Sequence, residues 1–406
     1  MKGKVLVLAL VALMCASCYV RPGGRKTLTQ DDLGLMLDAY PVERGIGDRY
    51  SPLNLLLCSD EQWVLAVRDI EESGCAFFIT SDGGKTWERR SWFEGSWMCG
   101  EVVMDDGTLY CSFNDQDRIA ETSIGAGKIL RSDDLGDTWE ELSVFDGNLE
   151  QLIVNEGVIA VQLCVVSDED GDGRFEVTHS IRISDDAGRN WREVRLTEPF
   201  SSSFSDGIIT VNEYCDSDKL LEISLPGPCV DTIHFSFKSA VQITRGEDII
   251  GVWNAGKADY FRIAGKTLTF ASRIEYGSRL SDYIPEHIYQ YGNLVYTSVL
   301  HPGLNQSERM FVSNDYGKSW AAVSTESEID RQLDRVWTPE GDAWFMAGYK
   351  DCMVSYCIGY KDGLRRDFIK KITVAIDLST SGLGVLVAEP FEGDDKEGAD
   401  EHPDDG

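Results

Sequence analysis

Three aspartates near the middle of the chain have the spacing of a calcium-binding loop. Asp168, Asp170 and Asp172 alternate with other residues, and Gly173 follows them. Alternating carboxylates can converge on a hard cation, and a glycine permits the sharp turn that this requires. The position that would hold the bidentate glutamate of an EF-hand is His179, which excludes a full EF-hand. The pattern therefore predicts a short calcium-binding hairpin or, as the alternative, an acidic turn in solvent.

The start of the chain has the layout of a secretory signal. Lys2 and Lys4 precede ten apolar residues, a run too short to span a bilayer. The run ends in Cys-Ala-Ser-Cys, which resembles a bacterial lipobox in which Cys18 would carry the lipid. Cys15 stands where that motif usually has leucine, so ordinary cleavage and secretion remain the alternative. We expect a signal peptide over 1–17, a lipid-anchored tether over 18–48, and a periplasmic or surface-exposed location in a bacterial cell envelope.

Nine cysteines follow Cys18, and an extracytoplasmic location would let some of them pair. Because nine is odd, at least one of them stays free. Two pairs are close enough in sequence to suggest disulfides: Cys215 with Cys229, and Cys352 with Cys357. For Cys111 and Cys164 we expect burial as small apolar residues on strands.

An eight-residue pattern occurs four times and predicts a repeated hairpin turn. The recurring positions hold Thr80, Asp82, Gly84 and Trp87, then Ser132, Asp134, Gly136 and Trp139, then Ser184, Asp186, Gly188 and Trp191, and finally Ser313, Asp315, Gly317 and Trp320. In such a turn the hydroxyl and the carboxylate bond nearby backbone amides, and the glycine adopts a positive φ that a Cβ disfavours. The tryptophan then enters the apolar layer beneath, so Trp139→Ala should cost about 3–5 kcal/mol.

This pattern resembles the Asp-box, or BNR repeat, of sialidases and other β-propellers. The resemblance implies an all-β chain with one propeller of four-stranded blades over residues 49–390. It also implies that each box caps the turn between the third and fourth strands of a blade, usually on the face away from the ligand. The residues of the boxes are therefore expected to be structural.

The spacing of the boxes leaves six or seven blades open. Trp87, Trp139 and Trp191 follow one another at equal intervals of about 50 residues, which suits one four-stranded blade. The interval from Trp191 to Trp320 is more than twice as long, so degenerate repeats lie in between. One is at residues 260–268, and a weak unit at 208–225 is either a blade or an insertion. Strand-turn-strand units, the last of them at 337–344, favour seven blades, and residues 391–406 are expected to be a disordered acidic tail.

The charge of the chain restricts its partners. The formal net charge is −31, from 69 acidic and 38 basic residues. Such a surface repels phosphate backbones and anionic lipids, which argues against nucleic acid and against membrane contact other than a lipid anchor. Cations and basic protein patches fit better, and we expect a monomer with no cofactor other than calcium. Aromatic clusters at 92–97 and 283–296 indicate either a binding surface or packing between blades.

Two functions fit this resemblance. A propeller without a recognisable catalytic set is most simply a binding scaffold, here for a glycan or protein ligand at the cell surface. The alternative is an exo-sialidase-like glycoside hydrolase, which the resemblance implies would bind its substrate carboxylate through three arginines. Arg68, Arg262 and Arg335 are the candidates. However, Arg68 beside Asp69 is better explained as a surface ion pair, and Arg262 as part of a third strand, so catalytic residues stay unassigned.

Overall fold

The computed structural model describes most of the chain between residues 35 and 374. The described ranges are 35–117, 125–167, 176–196, 200–205, 207–213, 219–225, 229–234, 242–254, 257–264, 267–275, 284–300, 308–323, 344–361 and 364–374. They form 28 strands in seven four-stranded antiparallel sheets. The predicted all-β propeller is confirmed, and each sheet is one blade. No helix within these ranges has the length and apolar character needed to cross a bilayer.

Six blades are built from four strands that follow one another in the chain. Blades 1 to 3 contain β2 (Tyr50–Leu57), β3 (Trp63–Asp69), β4 (Gly74–Thr80), β5 (Glu88–Glu94); β6 (Trp97–Asp105), β7 (Thr108–Asp115), β8 (Ala126–Ser132), β9 (Glu140–Asp146); and β10 (Asn148–Asn155), β11 (Val158–Ser167), β12 (Glu176–Ser184), β13 (Arg192–Leu196). Blades 4 to 6 contain β14 (Phe200–Ser205), β15 (Ile208–Glu213), β16 (Lys219–Ser224), β17 (Cys229–His234); β18 (Gln242–Arg245), β19 (Ile249–Asn254), β20 (Lys257–Ala264), β21 (Thr267–Glu275); and β22 (Ile284–Tyr291), β23 (Leu294–Leu300), β24 (Glu308–Ser313), β25 (Ala321–Val323).

Blade 7 joins the two ends of the described chain. Its strands are β26 (Trp344–Tyr349), β27 (Cys352–Lys361), β28 (Leu364–Val374) and, at the outer edge, β1 (Leu35–Pro41). β1 pairs with β28 from Leu35 opposite Val374 to Pro41 opposite Phe368. The tether predicted over residues 18–48 is therefore wrong for residues 35–41, because this stretch supplies the strand that closes the ring.

The first strand of each blade lies nearest the propeller axis. β2 contacts β6 and β26, β6 contacts β10, and β18 contacts β14 and β22. Apolar clusters fill the space between neighbouring blades, as where Phe77 of blade 1 packs with Phe113 of blade 2. Because both sides of a middle strand are covered, β3 and β4 are buried almost continuously, whereas the outermost β5 is largely exposed. The long apolar runs of the sequence are these middle strands.

The ends of the blades form two distinct faces. The hairpins between first and second strands lie at the same end as the eight-residue turns, and we call this end the box face. In blade 1 the Gly83 N–H donates to the Glu61 carbonyl across this face at 2.9 Å, and in blade 6 the Tyr316 N–H donates to the Asn293 carbonyl at 3.0 Å. The connections between second and third strands, and those between blades, belong to the other end, which we call the opposite face.

All four eight-residue turns have the bonding that the sequence predicts. In the second copy Gly136, with φ of 88°, donates its N–H to Ser132 Oγ at 2.8 Å. Asp134 accepts from the N–H and the hydroxyl of Thr138 at 2.8 and 2.6 Å. The other copies repeat these bonds, and each turn joins the third and fourth strands of its blade. Hydrogen bonds from Thr138 lower the pKa of Asp134 to about 2, so this carboxylate is ionised and engaged within the turn.

The closing tryptophans join each box to the preceding blade. Trp139 Nε1–H donates to Ser91 Oγ on β5 at 3.0 Å, and its ring lies 4.7 Å from that of Phe77. Trp320 donates in the same way to Ser272 Oγ on β21 at 2.9 Å. Trp320 is only 1% exposed, but Trp139 is half-buried. Trp139 thus packs on the apolar layer as predicted, but its ring lies at the rim between two blades and is less buried than that of Trp320.

The long interval before the fourth box contains two blades without a complete box sequence. The weak unit at 208–225 is part of blade 4, where it forms β15 and β16, and is not an insertion. The degenerate repeat at 260–268 spans β20 and the start of β21 in blade 5, although residues 265–266 lie outside the described residues. Of the two predicted blade counts, the described sheets support seven.

The first hairpin of blade 7 lies later in the chain than predicted. Trp344, the end of the predicted strand-turn-strand unit, begins β26, and the hairpin follows between Tyr349 and Cys352. Residues 337–343 lie outside the described residues. The sequence does not mark this turn, because Lys350 adopts a positive φ of 52° at a position where glycine is usual.

The predicted disulfide between Cys352 and Cys357 is wrong. Both residues lie on β27, where the extended chain separates them by about 16 Å and directs their side chains to opposite faces of the sheet. Cys215 lies outside the described residues, so its pairing with Cys229 stays a prediction. Cys111 is buried, as predicted.

Candidate functional site

Among the described strands, β-bulges interrupt the first strands of four blades near the opposite face. The irregularities lie between Pro52 and Asn54, Cys99 and Val102, Leu149 and Gln151, and Pro285 and His287. A bulge leaves a residue without a cross-strand partner and changes the direction of its side chain. The residues left out of register include Glu101 and Glu150. Acidic residues thus occupy irregular positions on the strands nearest the axis. In proteins generally, bulges are often found next to active sites.

Glu101 links blades 2 and 3 at this bulged region. Its Oε2 accepts a hydrogen bond from the Leu152 N–H of β10 at 2.5 Å, and its own N–H donates to Ser112 Oγ at 2.9 Å. Burial raises the pKa of Glu101 to about 7, although the bond from Leu152 opposes this shift. Near neutral pH the carboxyl is therefore partly protonated, and it could donate a proton or a hydrogen bond to a ligand.

Glu150, Cys164 and His179 converge on blade 3. Cys164 lies directly opposite His179 in the pairing of β11 with β12. The oxygen, sulfur and nitrogen atoms that the three residues could offer to a metal lie within 4.8 Å of one another, with Glu150 Oε2 3.8 Å from His179 Nδ1. Cys164 is half-buried instead of buried as predicted, because it lies near the end of its strand at the opposite face. Burial and then the charge of Glu150 raise the pKa of its thiol.

The predicted calcium and lipid sites lie outside the described residues. Asp168, Asp170 and Asp172 fall between β11 and β12, and Cys18 precedes β1. Both sites stay predictions. The two strands that flank the aspartates end at the opposite face, on the same blade as Cys164.

The surface ion pair predicted between Arg68 and Asp69 is wrong. Asp69 is buried, and its carboxylate pairs with Arg49, whose Nε lies 3.0 Å from Asp69 Oδ2. Alternation along β3 places the two neighbouring side chains on different sides of the sheet, so Arg68 is exposed while Asp69 points inward.

Arg262 lies on the box face and is already paired. Its guanidinium contacts Asp248 at 2.8 Å and lies 4.3 Å from the ring centre of Tyr316. It belongs to the third strand of blade 5, as predicted. Arg68 lies toward the opposite face, so these two arginines cannot bind one carboxylate together. Arg335 lies outside the described residues.

Packing accounts for much of the two aromatic clusters. Tyr296 is buried and donates its hydroxyl to the Asp351 carbonyl at 2.9 Å, and its ring lies 6.3 Å from that of Tyr289. Trp97 packs in the core between blades 1 and 2, with Lys128 Nζ 4.2 Å from its ring centre. Of the two predicted interpretations, blade packing is the correct one for these residues.

The sequence alone does not indicate Glu101, Glu150 or the pairing of Cys164 with His179. A bulge and a strand register are set by tertiary packing, so a sequence does not show which side chains will meet. One signal was present, because Glu101 interrupts the otherwise apolar stretch from Cys99 to Met104, where an acid must be buried or redirected.

Comparison with protein families identifies the repeat. The family described as BNR/Asp-box repeat matches residues 78–89, which contain the first eight-residue turn. The chain is an Asp-box β-propeller. Its four boxes and seven sheets agree with that match. No curated protein matches the sequence significantly.

Several solved structures are similar to this chain, at low sequence identity and with TM-scores below 0.5. The β-propeller domain of the Trilobed protease from Pyrococcus furiosus is 12% identical with a TM-score of 0.48, over 82% of this chain and 99% of that one. The GH93 α-L-arabinofuranosidase of Fusarium graminearum, in complex with arabinobiose, is 12% identical with a TM-score of 0.43, over 82% and 98%. Hsv2 of Kluyveromyces lactis is 11% identical with a TM-score of 0.45, over 80% and 100%.

Proposed function

We propose that this Asp-box propeller is an extracytoplasmic lipoprotein that acts as a binding scaffold for a glycan or protein ligand. The observation that supports this is the different use of acidic residues at the two faces. On the box face, aspartates such as Asp134 are engaged inside turns. Toward the opposite face, Glu101 and Glu150 lie at bulges of the axial strands, where the blades do not need them for their hydrogen-bond ladders.

The chemistry of the bulged region indicates what such a ligand would offer. A partly protonated Glu101 can both donate and accept hydrogen bonds, which suits sugar hydroxyls. The net charge of −31 favours neutral glycans or basic protein patches over anionic ones. Calcium bound by Asp168, Asp170 and Asp172 would reduce the local negative charge, and it remains part of the proposal.

Binding to a glycan array and to a panel of basic peptides tests the proposal. The purified chain is compared with Glu101→Gln and Glu150→Gln, and with Glu140→Gln, which removes an exposed acid at the box-face end of β9. We expect at least about tenfold weaker binding for the first two variants, corresponding to about 1.4 kcal/mol, and no change for the third. Equal loss in all three, or loss only in Glu140→Gln, would contradict a ligand site at the opposite face.

The lipid anchor is tested separately by metabolic labelling. Bacteria that express the chain are given a fatty-acid probe, and labelled protein is detected after detergent extraction. We expect label on the native chain and none on Cys18→Ala, with Cys58→Ala as the matched cysteine control. Equal labelling of Cys18→Ala would rule out this attachment site.

Glycoside hydrolysis is a second candidate because Glu101 has the raised pKa that a general acid needs near neutral pH. Retaining and inverting glycosidases both pair such an acid with a second carboxylate. Glu150 is on the strand that contacts Glu101. It lies two residues before Leu152, whose N–H donates to Glu101 Oε2. The positions of Arg68 and Arg262 on different faces give no support to sialic acid as the substrate.

A panel of fluorogenic glycosides, sialosides included, tests this candidate. If Glu101 is the acid, turnover should fall as the pH rises through about 7, and Glu101→Gln should lose it. Turnover that persists in Glu101→Gln would remove Glu101 from the reaction. If the native chain is folded but turns over none of the substrates, the binding scaffold is the one proposed function that remains.

A further inference from the structure

We propose that Glu150, Cys164 and His179 form a zinc site on blade 3, separate from the predicted calcium loop. A thiolate, an imidazole and a carboxylate are the three ligand types that zinc takes in proteins. The three side chains come from three adjacent strands, β10, β11 and β12, so the site is built into the sheet and does not depend on a loop.

The strand geometry explains why these residues meet. In an antiparallel pair, residues directly opposite each other place their side chains on the same side of the sheet. Cys164 and His179 are such a pair. The bulge at Glu150 shifts that residue out of the regular alternation of β10 and directs its carboxylate toward the same place.

The distances need only a small adjustment to coordinate an ion. The ligand atoms lie within 4.8 Å of one another, and Glu150 Oε2 is 3.8 Å from His179 Nδ1. A tetrahedral zinc ion with bonds of about 2.0–2.3 Å holds its ligand atoms roughly 3.5 Å apart. Rotation of the half-buried Cys164 and the partly exposed Glu150 side chain can supply the difference.

Zinc binding releases one proton, which comes from the thiol of Cys164. Zinc is bound by the thiolate form of a cysteine. When zinc binds, the S–Zn bond forms as the S–H bond breaks, and the proton leaves to solvent. The thiolate and the Glu150 carboxylate then balance the two positive charges of the ion, while the imidazole of His179 donates a lone pair. Three protein ligands leave the fourth position for water or for a ligand.

A neighbouring residue orients the carboxylate. Gln162 Nε2 donates to Glu150 Oε2 at 2.5 Å. Such contacts to ligating groups typically change metal affinity about 10- to 100-fold when removed. Gln162 lies two residues before Cys164 on β11, so both side chains project from the same side of the sheet.

The side of the sheet that carries the site faces blade 4. Ala160 and Ile181, which share this side with Cys164 and His179, pack in one apolar cluster with Ile209 of blade 4. Blade 4 has no box sequence, so a box tryptophan does not join it to blade 3 as Trp139 joins blades 1 and 2. Zinc would therefore stiffen blade 3 at its junction with blade 4, where no box tryptophan joins the two blades.

Zinc titration of the purified full-length chain against a chromophoric chelator tests the site. Millimolar calcium is included, so that sites made of oxygen ligands alone are occupied. We expect one equivalent of tightly bound zinc in the native chain and in Cys58→Ser, which alters another half-buried cysteine. In Cys164→Ser and His179→Gln the affinity should fall by more than about 100-fold, beyond the range for outer-shell residues, and in Gln162→Met by about tenfold. Equal affinity in native chain, Cys164→Ser and His179→Gln would overturn the proposal.

Cobalt substitution provides a readout that does not depend on affinity. A thiolate ligand gives a charge-transfer band in the near ultraviolet, and a tetrahedral site gives intense visible bands. Both should be present in the native chain and in Cys58→Ser, and the charge-transfer band should be absent from Cys164→Ser. Circular dichroism confirms that each variant is folded. A thiolate band that persists in folded Cys164→Ser, or is absent from the native chain, would contradict the site.

Discussion

At the residue scale, the acidic side chains of this propeller are of two kinds. Some are hydrogen-bonded within the box turns, and others lie outside these turns. Asp134 is held ionised by hydrogen bonds within its own box, which lower its pKa. Glu101 is held partly protonated by burial near the axis. The same functional group thus has opposite shifts of its pKa at the two faces, and of this pair only Glu101 has a pKa near neutral pH.

Glu101 should make the stability of the fold depend on pH. Its pKa rises from an ordinary 4.5 to about 7 on folding, so its contribution is most favourable below pH 4.5 and is lost as the pH rises through about 7. Because one pKa unit corresponds to about 1.4 kcal/mol, Glu101→Gln should be more stable than the native chain by about 3 kcal/mol at pH 8. The two should differ little at pH 4.5.

Chemical denaturation at several pH values measures this difference. Glu140→Gln is the control, since it alters an exposed acid. A stability difference between Glu101→Gln and the native chain that stays constant from pH 4.5 to pH 8 would show that the carboxyl is not shifted.

At the element scale, one arrangement recurs in the fold: the tryptophan of a box packs on the preceding blade. Ser91, Ser143 and Ser272 accept the indole N–H from the next box, and each follows a bulge in the fourth strand of its blade. The boxes were predictable from sequence because their bonds are local. The serines were not, because a bulge on the preceding blade, far from the tryptophan in sequence, sets their position.

Truncating these tryptophans should have unequal effects. Trp320→Ala removes a side chain that is 1% exposed and should destabilise the protein by about 3–5 kcal/mol. Trp139→Ala should cost less than about 3 kcal/mol, since that ring is half-buried. Urea unfolding of both variants checks the order. A larger loss for Trp139→Ala would contradict the described burial.

Neighbouring strands of blade 2 bring two thiols close enough to be oxidised. Cys99 Sγ and Cys111 Sγ lie 3.1 Å apart in the core. A disulfide needs about 2.05 Å, so the sulfurs must approach by about 1 Å. If the chain is exported as proposed, an oxidising partner such as a periplasmic disulfide can accept the two electrons while the thiols release two protons.

Alkylation followed by mass spectrometry tests this pair. We expect Cys99 and Cys111 to resist alkylation after denaturation of protein from the periplasm, and to react after reduction. Cys58 is the internal control and should react in both samples. Full alkylation of Cys99 and Cys111 without reduction would contradict oxidation of this pair.

At the scale of the whole molecule, the ring is closed by strands from the two ends of the described chain and not by a box. The strand pattern within a blade could be predicted from the boxes, since four strands must fit the interval between one box and the next. The closure could not, because residues 35–41 carry no box and pair with β28, the last strand of the described chain. The length and partner of β1 are set only when the ring is complete.

Removing β1 should therefore weaken the whole ring. A chain that begins at residue 42 exposes the edge of β28, and its melting temperature should fall by several degrees with a tendency to aggregate. A chain that begins at residue 34 keeps β1 and is the control. Equal melting temperatures for the two would show that β1 is not needed for closure.

We propose that the box face builds the propeller and that the opposite face binds the ligand. Hydrogen exchange with and without the strongest ligand from the array tests this most directly. We predict added protection in residues 94–102 and 146–152, which include Glu101 and Glu150, and none in the box turns at 132–139 and 313–320. Protection confined to the box turns would contradict the claim.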